Sequence, residues 1–203
     1  MIHCISMNAY HPELQKNPVD SKPIRTKRLE LIPASLAILE SDLEDRAGLS
    51  RLLDATIPVS WPPPLLDTNA LTEFVRMKRE KSDPQFITWY WVRVDPVTKT
   101  RTLIGSGGIS SSALADSTVM IGYSVLDEFQ NQGYATEAIQ SLIPIIFSLS
   151  GIRKIMATTY PDLVPSIRVL EKNKFSCAGP GYSGEGMEEG TLAFIREKPG
   201  IVP

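Results

Sequence analysis

Apolar and polar positions change period several times along the chain, and each change predicts an element. Leu29, Leu31 and Pro33 alternate with Glu30 and Ile32, which predicts a first strand. From Ser35 to Leu53 the apolar positions Leu36, Leu39, Leu43 and Ala47 recur at three- and four-residue steps. They predict one amphipathic helix with Gly48 as its weak point. Thr68 or Asn69 can cap a second helix that runs to about Lys81 through Leu71, Phe74, Val75 and Lys78. Between the two helices, Pro62-Pro63-Pro64 excludes helix and central strand and predicts a stiff, extended connector. A polyproline ligand for a signalling domain is the weaker reading, because the segment is short and lies between helices.

Phe86 to Val94 is aromatic and β-branched and predicts a strand; Asp95 to Thr100 turns, and Thr102 to Ser110 returns. Gly105, Gly107 and Gly108 weaken that returning strand unless something passes close to its backbone. A turn at Ala115-Asp116-Ser117 leads into a strand from Thr118 to Leu126. Ala135, Ala138, Ile139, Leu142, Ile143, Ile146 and Leu149 form the apolar face of a long helix, which Pro144 should bend. Ile152 to Thr159 predicts a further strand, and Phe175 to Ala178 with Thr191 to Arg196 a closing pair. The 179–190 link between that pair holds five glycines and is expected to be mobile. Helices followed by an antiparallel meander make this an α+β protein.

With 203 residues the chain fits one domain, residues 24–203, preceded by a polar arm over residues 1–23. A net charge of −2 gives no electrostatic case for nucleic acid. Cys4 and Cys177, far apart and without clustered histidines, predict free thiols and neither a metal site nor a disulfide framework. No run approaches the roughly eighteen apolar residues that span a bilayer, and the N-terminus does not read as a secretory signal. The default expectation is a cytoplasmic monomer or homodimer, with no membrane or metal partner.

One stretch carries the chemistry. From Ile121 to Val125 the chain is apolar and β-branched; it turns through Asp127 and Glu128 and then through Gln130 to Gly133, where the long helix opens. The first N–H groups of a helix have no internal partner, and the helix dipole places partial positive charge there, so strand, turn and helix make an anion site. Gly133 lets the backbone close over a ligand, and Ala135 keeps the next turn small.

Gln130-x-x-Gly133-x-Ala135 resembles the acetyl-coenzyme A pyrophosphate turn of the GCN5-related N-acetyltransferase (GNAT) superfamily. The flanking Ile-Gly-Tyr and Gly-Tyr-Ala-Thr-Glu-Ala resemble the branch of the ribosomal-protein-alanine N-acetyltransferases. A second stretch, Ser166-Ile-Arg-Val-Leu-Glu-Lys, is similar to the family's Asn-x-x-Ser-x-x-x-Leu-Glu-Lys-x-Gly-Phe. Two positions depart from it: Leu163 replaces the Asn that bonds the pantetheine arm, and Lys174 replaces the Gly that ends the helix. The resemblance implies a single-domain α+β fold with a mixed sheet of about six to seven strands and helices on both faces. It implies acetyl-coenzyme A as co-substrate, held by Ser124, Val125, Gln130, Asn131, Gln132, Gly133, Tyr134, Ala135, Thr136, Leu163 and Ser166.

The implied reaction is direct attack of a primary amine, on a peptide N-terminus or a small molecule, on the acetyl thioester. A backbone N–H near Ser124 and Val125 is the natural oxyanion donor. Met120 stands where many relatives carry a Glu base, which leaves Asp116 and Glu137 as candidates. For Glu137 a favourable charge in the first turns of a helix is the competing role. Leu170 replaces the Tyr that often protonates the thiolate, which leaves Ser166 as candidate acid, with helix capping as its competing role. Trp61 and Tyr123 are the candidate acceptor contacts. A coenzyme-binding regulatory module without turnover is the rival expectation.

Overall fold

The computed structural model of the protein describes residues 22–111, 117–181 and 189–200. Asp116, Cys4, most of the expected arm and most of the 179–190 link lie outside the described residues.

Among the described residues eight strands form one sheet: β1 (Ile24–Arg25), β2 (Leu29–Pro33), β3 (Ile87–Val94), β4 (Arg101–Ser111), β5 (Thr118–Val125), β6 (Lys154–Thr159), β7 (Ser176–Pro180) and β8 (Leu192–Glu197). Their order is β1-β2-β3-β4-β5-β6-β8-β7, and only β5 and β6 run parallel. The strand beyond the expected count is β1, whose two residues are too few to show a period.

Side chains alternate across the sheet and divide the core in two. Trp89 and Trp91 of β3 face α4 (Tyr134–Ser148) and α5 (Val164–Lys172). Tyr90 and Val92 face α1 (Leu36–Glu44), α2 (Arg46–Leu53) and α3 (Thr68–Glu80). Among the described residues no helix is long and apolar enough to cross a membrane.

The expected single helix over Ser35 to Leu53 is two helices, and the break falls at Asp45 and not at Gly48. Asp45 leaves helical geometry (φ −139°, ψ 81°); its N–H closes α1 on Ser41 and its carboxylate caps α2 by accepting from Gly48 N–H. An Asp so placed satisfies orphan groups of both helix ends at once. Asp67, one residue before the expected caps, caps α3 through Ala70 N–H. Helix α4 continues through Pro144, which lies on the exposed side. The carbonyl it leaves unpaired belongs to exposed Gln140, where water can serve it.

Two features of the sheet shape the site. What passes close to Gly105 and Gly107 of β4 is an indole: a Cβ on Gly105 would meet Trp91 Cε3 at 3.2 Å and one on Gly107 its Cζ2 at 2.6 Å, whereas Gly108 faces the backbone of Ile87 and Thr88. That indole stacks on Tyr123 of β5, with ring centroids 6.4 Å apart. The second feature is a splay. Strand β5 pairs with β4 as far as Val125, but with β6 only over Thr118 to Met120. From Ile121 onward β5 leaves β6, whose later residues Ala157 to Thr159 pair with β8 alone.

Candidate active site

The splay opens a cleft of about 670 Å³, walled by the second half of β5, the end of β6 and the inner side of α5. At one end the chain leaves β5, makes a 3-10 turn over Asp127–Phe129 and enters α4. Asn131 (φ 56°) and Gly133 (φ 81°) are both left-handed, which brings the backbone round sharply before the helix. Gly133 adopts this without strain, and Asn is the residue that tolerates it next best.

The helix opening is uncapped. No side chain bonds it, and among the described residues the N–H groups of Gly133, Tyr134, Ala135 and Thr136 have no partner. Glu137 N–H is the first to find one, Gly133 O at 3.0 Å. Four free donors at the positive end of a fifteen-residue helix, all on residues that line the cleft, are suited to hold an anion. Gln130 braces the turn, its Nε2 donating to Val125 O (3.1 Å) and Asp127 Oδ1 (2.8 Å).

Most residues expected to hold the coenzyme line this cleft: Ser124, Val125, Gln130, Asn131, Gly133, Tyr134, Ala135, Thr136, Leu163 and Ser166. Gln132 does not. Its amide turns back to Glu128 O and its carbonyl accepts from Arg28. Leu163 sits at the N-cap of α5 with no side-chain bond. Tyr123 Oη lies 3.3 Å from both Oγ and O of Ser166. Burial pushes the phenol up to about 12, against a small opposing effect of the Ser166 bond, so it stays protonated throughout the neutral range.

Two expected residues are elsewhere. Glu137 points away from the cleft, between Thr26 Oγ1 (2.6 Å), Arg28 N–H (2.8 Å) and Arg28 Nε (2.7 Å). Burial alone would raise its pKa, but these donors together hold it below the usual carboxylate range. A carboxylate so engaged serves the fold and is not placed to take a proton in the cleft. Trp61 is only 5% exposed and packs on Tyr90 in the core under α1 to α3, with its indole N–H donating to Asp42 at 2.7 Å. It forms no wall of the cleft. From its connector only Leu65 reaches the lining; it is 80% exposed and itself at positive φ.

Among the described residues lining the cleft there is no Asp or Glu; the charged ones are Arg168 and Lys172, one helical turn apart on α5. Neither is among the coenzyme contacts that the resemblance implies, although four-residue spacing places both on one helix face.

Several known proteins resemble this chain. The uncharacterized N-acetyltransferase YnaD of Bacillus subtilis is 38% identical over 55 residues, 27% of this chain and 32% of that protein. For two further Bacillus N-acetyltransferases the matched part is 45% and 47% of the relative's length, so the chain spans about a third to a half of these curated relatives. Among solved structures, ribosomal-protein-S5-alanine acetyltransferase of Vibrio fischeri superposes with a TM-score of 0.55 at 18% identity, over 89% of this chain and 99% of that one. Mycobacterium smegmatis RimJ in complex with CoA-disulfide gives 0.56 at 17% identity, over 86% and 85%. These two likenesses are of fold. The pattern of the acetyltransferase (GNAT) domain matches residues 36–176, from α1 to the start of β7, and the chain belongs to that family.

Proposed function

We propose that the protein transfers an acetyl group from acetyl-coenzyme A to a primary amine, by direct attack in a ternary complex. The observation that carries this reading is the uncapped α4 N-terminus, with left-handed Gly133, at the end of the cleft where β5 leaves β6. Pyrophosphate fits the free N–H groups of Gly133 to Thr136. An extended pantetheine arm fits the unpaired edge of β5 at Ser124 and Val125, and a β5 N–H would stabilise the oxyanion.

In the step proposed, the amine nitrogen attacks the thioester carbonyl, the C–S bond breaks, and the thiolate leaves with a proton. Ser166 supplies that proton and regains one through the water that accepts the amine's, and Tyr123 holds the hydroxyl in place. The amine gives up its own proton to water, because no carboxylate among the described residues lines the cleft. A site without a strong base favours an amine already neutral near pH 7. An α-amine, with a pKa about two units below that of a lysine side chain, meets that condition better. The preferred acceptor is therefore a peptide N-terminus, with a small amine as the alternative. Structural neighbours named as acetyltransferases of ribosomal proteins support the same class.

The test pairs calorimetry with a peptide array. Wild type should bind coenzyme A, Gly133→Glu should not, and peptides with free α-amines should be acetylated in preference to N-blocked peptides bearing Lys. Equal labelling of both sets, or of lysines alone, would remove the α-amine assignment. Binding without release of thiol to any amine would favour a coenzyme-responsive regulatory module, which Leu163 and Leu170 at the family's polar positions make the second reading.

A further inference from the structure

A side chain from the far edge of the sheet reaches the back of the coenzyme turn. Arg28, in the β1–β2 turn, donates from Nη1 to Gln132 O (2.9 Å) and from Nε to Glu137 Oε2 (2.7 Å). Its guanidinium lies over Tyr134, 4.3 Å from the ring centroid. Its Nη2 comes within 3.5 Å of where a Cβ on Gly133 would stand. Thr26 Oγ1 and Arg28 N–H both donate to the other oxygen of Glu137, so the carboxylate is locked on two sides.

The consequence follows from peptide geometry. In a trans peptide the C=O and N–H point in opposite directions. With the Gln132 carbonyl held toward Arg28, the Gly133 N–H must point away from it, and Gly133 lines the cleft. This peptide also needs holding, since glycine adopts either sign of φ at little cost and the unit could otherwise rotate. A bare cation beside the positive end of α4 would be unfavourable; Glu137, inside the first turn, offsets it.

The geometry points to Arg28 as a positioning residue for coenzyme binding. It fixes the Gln132–Gly133 peptide with its N–H toward the cleft, and so preorganises the pyrophosphate donors before the ligand arrives. The inference rests on the coenzyme reading of the turn proposed above. Arg28 itself does not line the cleft and acts through Gln132, Tyr134 and Glu137.

Coenzyme A and S-acetylpantetheine separate this role from general stability, because the second lacks the pyrophosphate. Both are titrated into wild type, Arg28→Lys and Arg28→Gln, the first by calorimetry and the second by amide shifts of β5. Melting temperatures are recorded alongside. Losing two charge-assisted bonds and the ring contact should weaken coenzyme A about tenfold or more in Arg28→Gln. Lysine keeps the charge and one bond, so Arg28→Lys should lose about threefold. S-acetylpantetheine should stay within about twofold of wild type in both variants. Should Arg28→Gln fail to fold, Arg28→Lys alone carries the comparison. Equal weakening of the two ligands, or unchanged coenzyme A affinity, would overturn the role of Arg28 while leaving the coenzyme site standing. Wild type that fails to bind coenzyme A would overturn both.

Discussion

Tyr123 and Ser166, 43 residues apart in the chain, meet at the floor of the cleft with 3.3 Å between their hydroxyl oxygens. The phenol comes from β5, stacked on Trp91, and the serine from the first turn of α5. A phenol is thus beside Ser166 even though Leu170 occupies the family's Tyr position and is fully buried.

If Ser166 protonates the leaving thiolate, Ser166→Ala should lower kcat about a hundredfold with little change in the coenzyme KM. Tyr123→Phe should cost about tenfold, and the double variant little more than Ser166→Ala, because the two act as one unit. Simple multiplication of the two effects, with chemistry shown to limit the rate, would separate the residues. The alkaline behaviour is a further check. A folded-state pKa of about 12, above the ordinary value of 10, favours the protonated fold. That contribution is complete below pH 10 and lost as pH rises through the folded value. Wild type should therefore lose more stability than Tyr123→Phe above pH 10.

Arg168 and Lys172 give the cleft its only charges among the described residues, and both are exposed. Exposed charges act weakly, about 0.2–1 kcal/mol each, so replacing both by Gln should weaken coenzyme A by about two- to thirtyfold and not abolish binding. The loss should shrink with added salt. Identical salt dependence in wild type and the double variant would show that the phosphates lie elsewhere.

Asp42 lies between the two aromatic residues that anchor the proline-rich connector. Oδ1 accepts from Trp61 Nε1 at 2.7 Å and Oδ2 from Tyr90 Oη at 2.5 Å. Asp42→Ala strands two buried donors and should cost about 2–4 kcal/mol; Asp42→Asn keeps one acceptor and should cost about half as much. Denaturant midpoints at constant slope would measure both. Equal costs would mean that the carboxylate's charge, and not its two acceptors, matters.

The helices, the meander and the Gly133 turn were legible because each is written in local spacing: a 3.6 period, alternation, or a glycine before a run of small residues. The partners of side chains were not. Glu137 sits where a helix N-terminus favours an acid, and nothing local says that it faces Thr26 and Arg28, more than a hundred residues away. Trp61, beside three prolines, reads as an exposed wall until Asp42 and Tyr90 are brought beneath it. Nor does the spacing of apolar positions mark the break at Asp45. Its capping role depends on one non-helical backbone geometry that periodicity does not register.

Leu163 allows two effects to be separated. At the uncapped N-cap of α5, Leu163→Asn should raise stability by about 1 kcal/mol through a helix cap. If the same amide reaches the pantetheine arm, coenzyme affinity should also rise, by up to about tenfold. A higher melting temperature with unchanged affinity would confine Leu163 to the helix end, and weaker binding would mean that the β6–α5 junction departs from the family's arrangement.

Strand β1 is the outermost strand on its side of the sheet, two residues long, and such edges are usually the first to fray. The turn that follows it carries Thr26 and Arg28, so fraying there releases Glu137 and the Gln132 carbonyl together. If the cleft binds coenzyme A as proposed, opening of the edge competes with tight binding, and added coenzyme draws molecules out of the frayed population. Amide exchange in residues 24–31, none of which lines the cleft, should slow when coenzyme A is added, which makes this margin of the sheet a gauge of whether the site is filled.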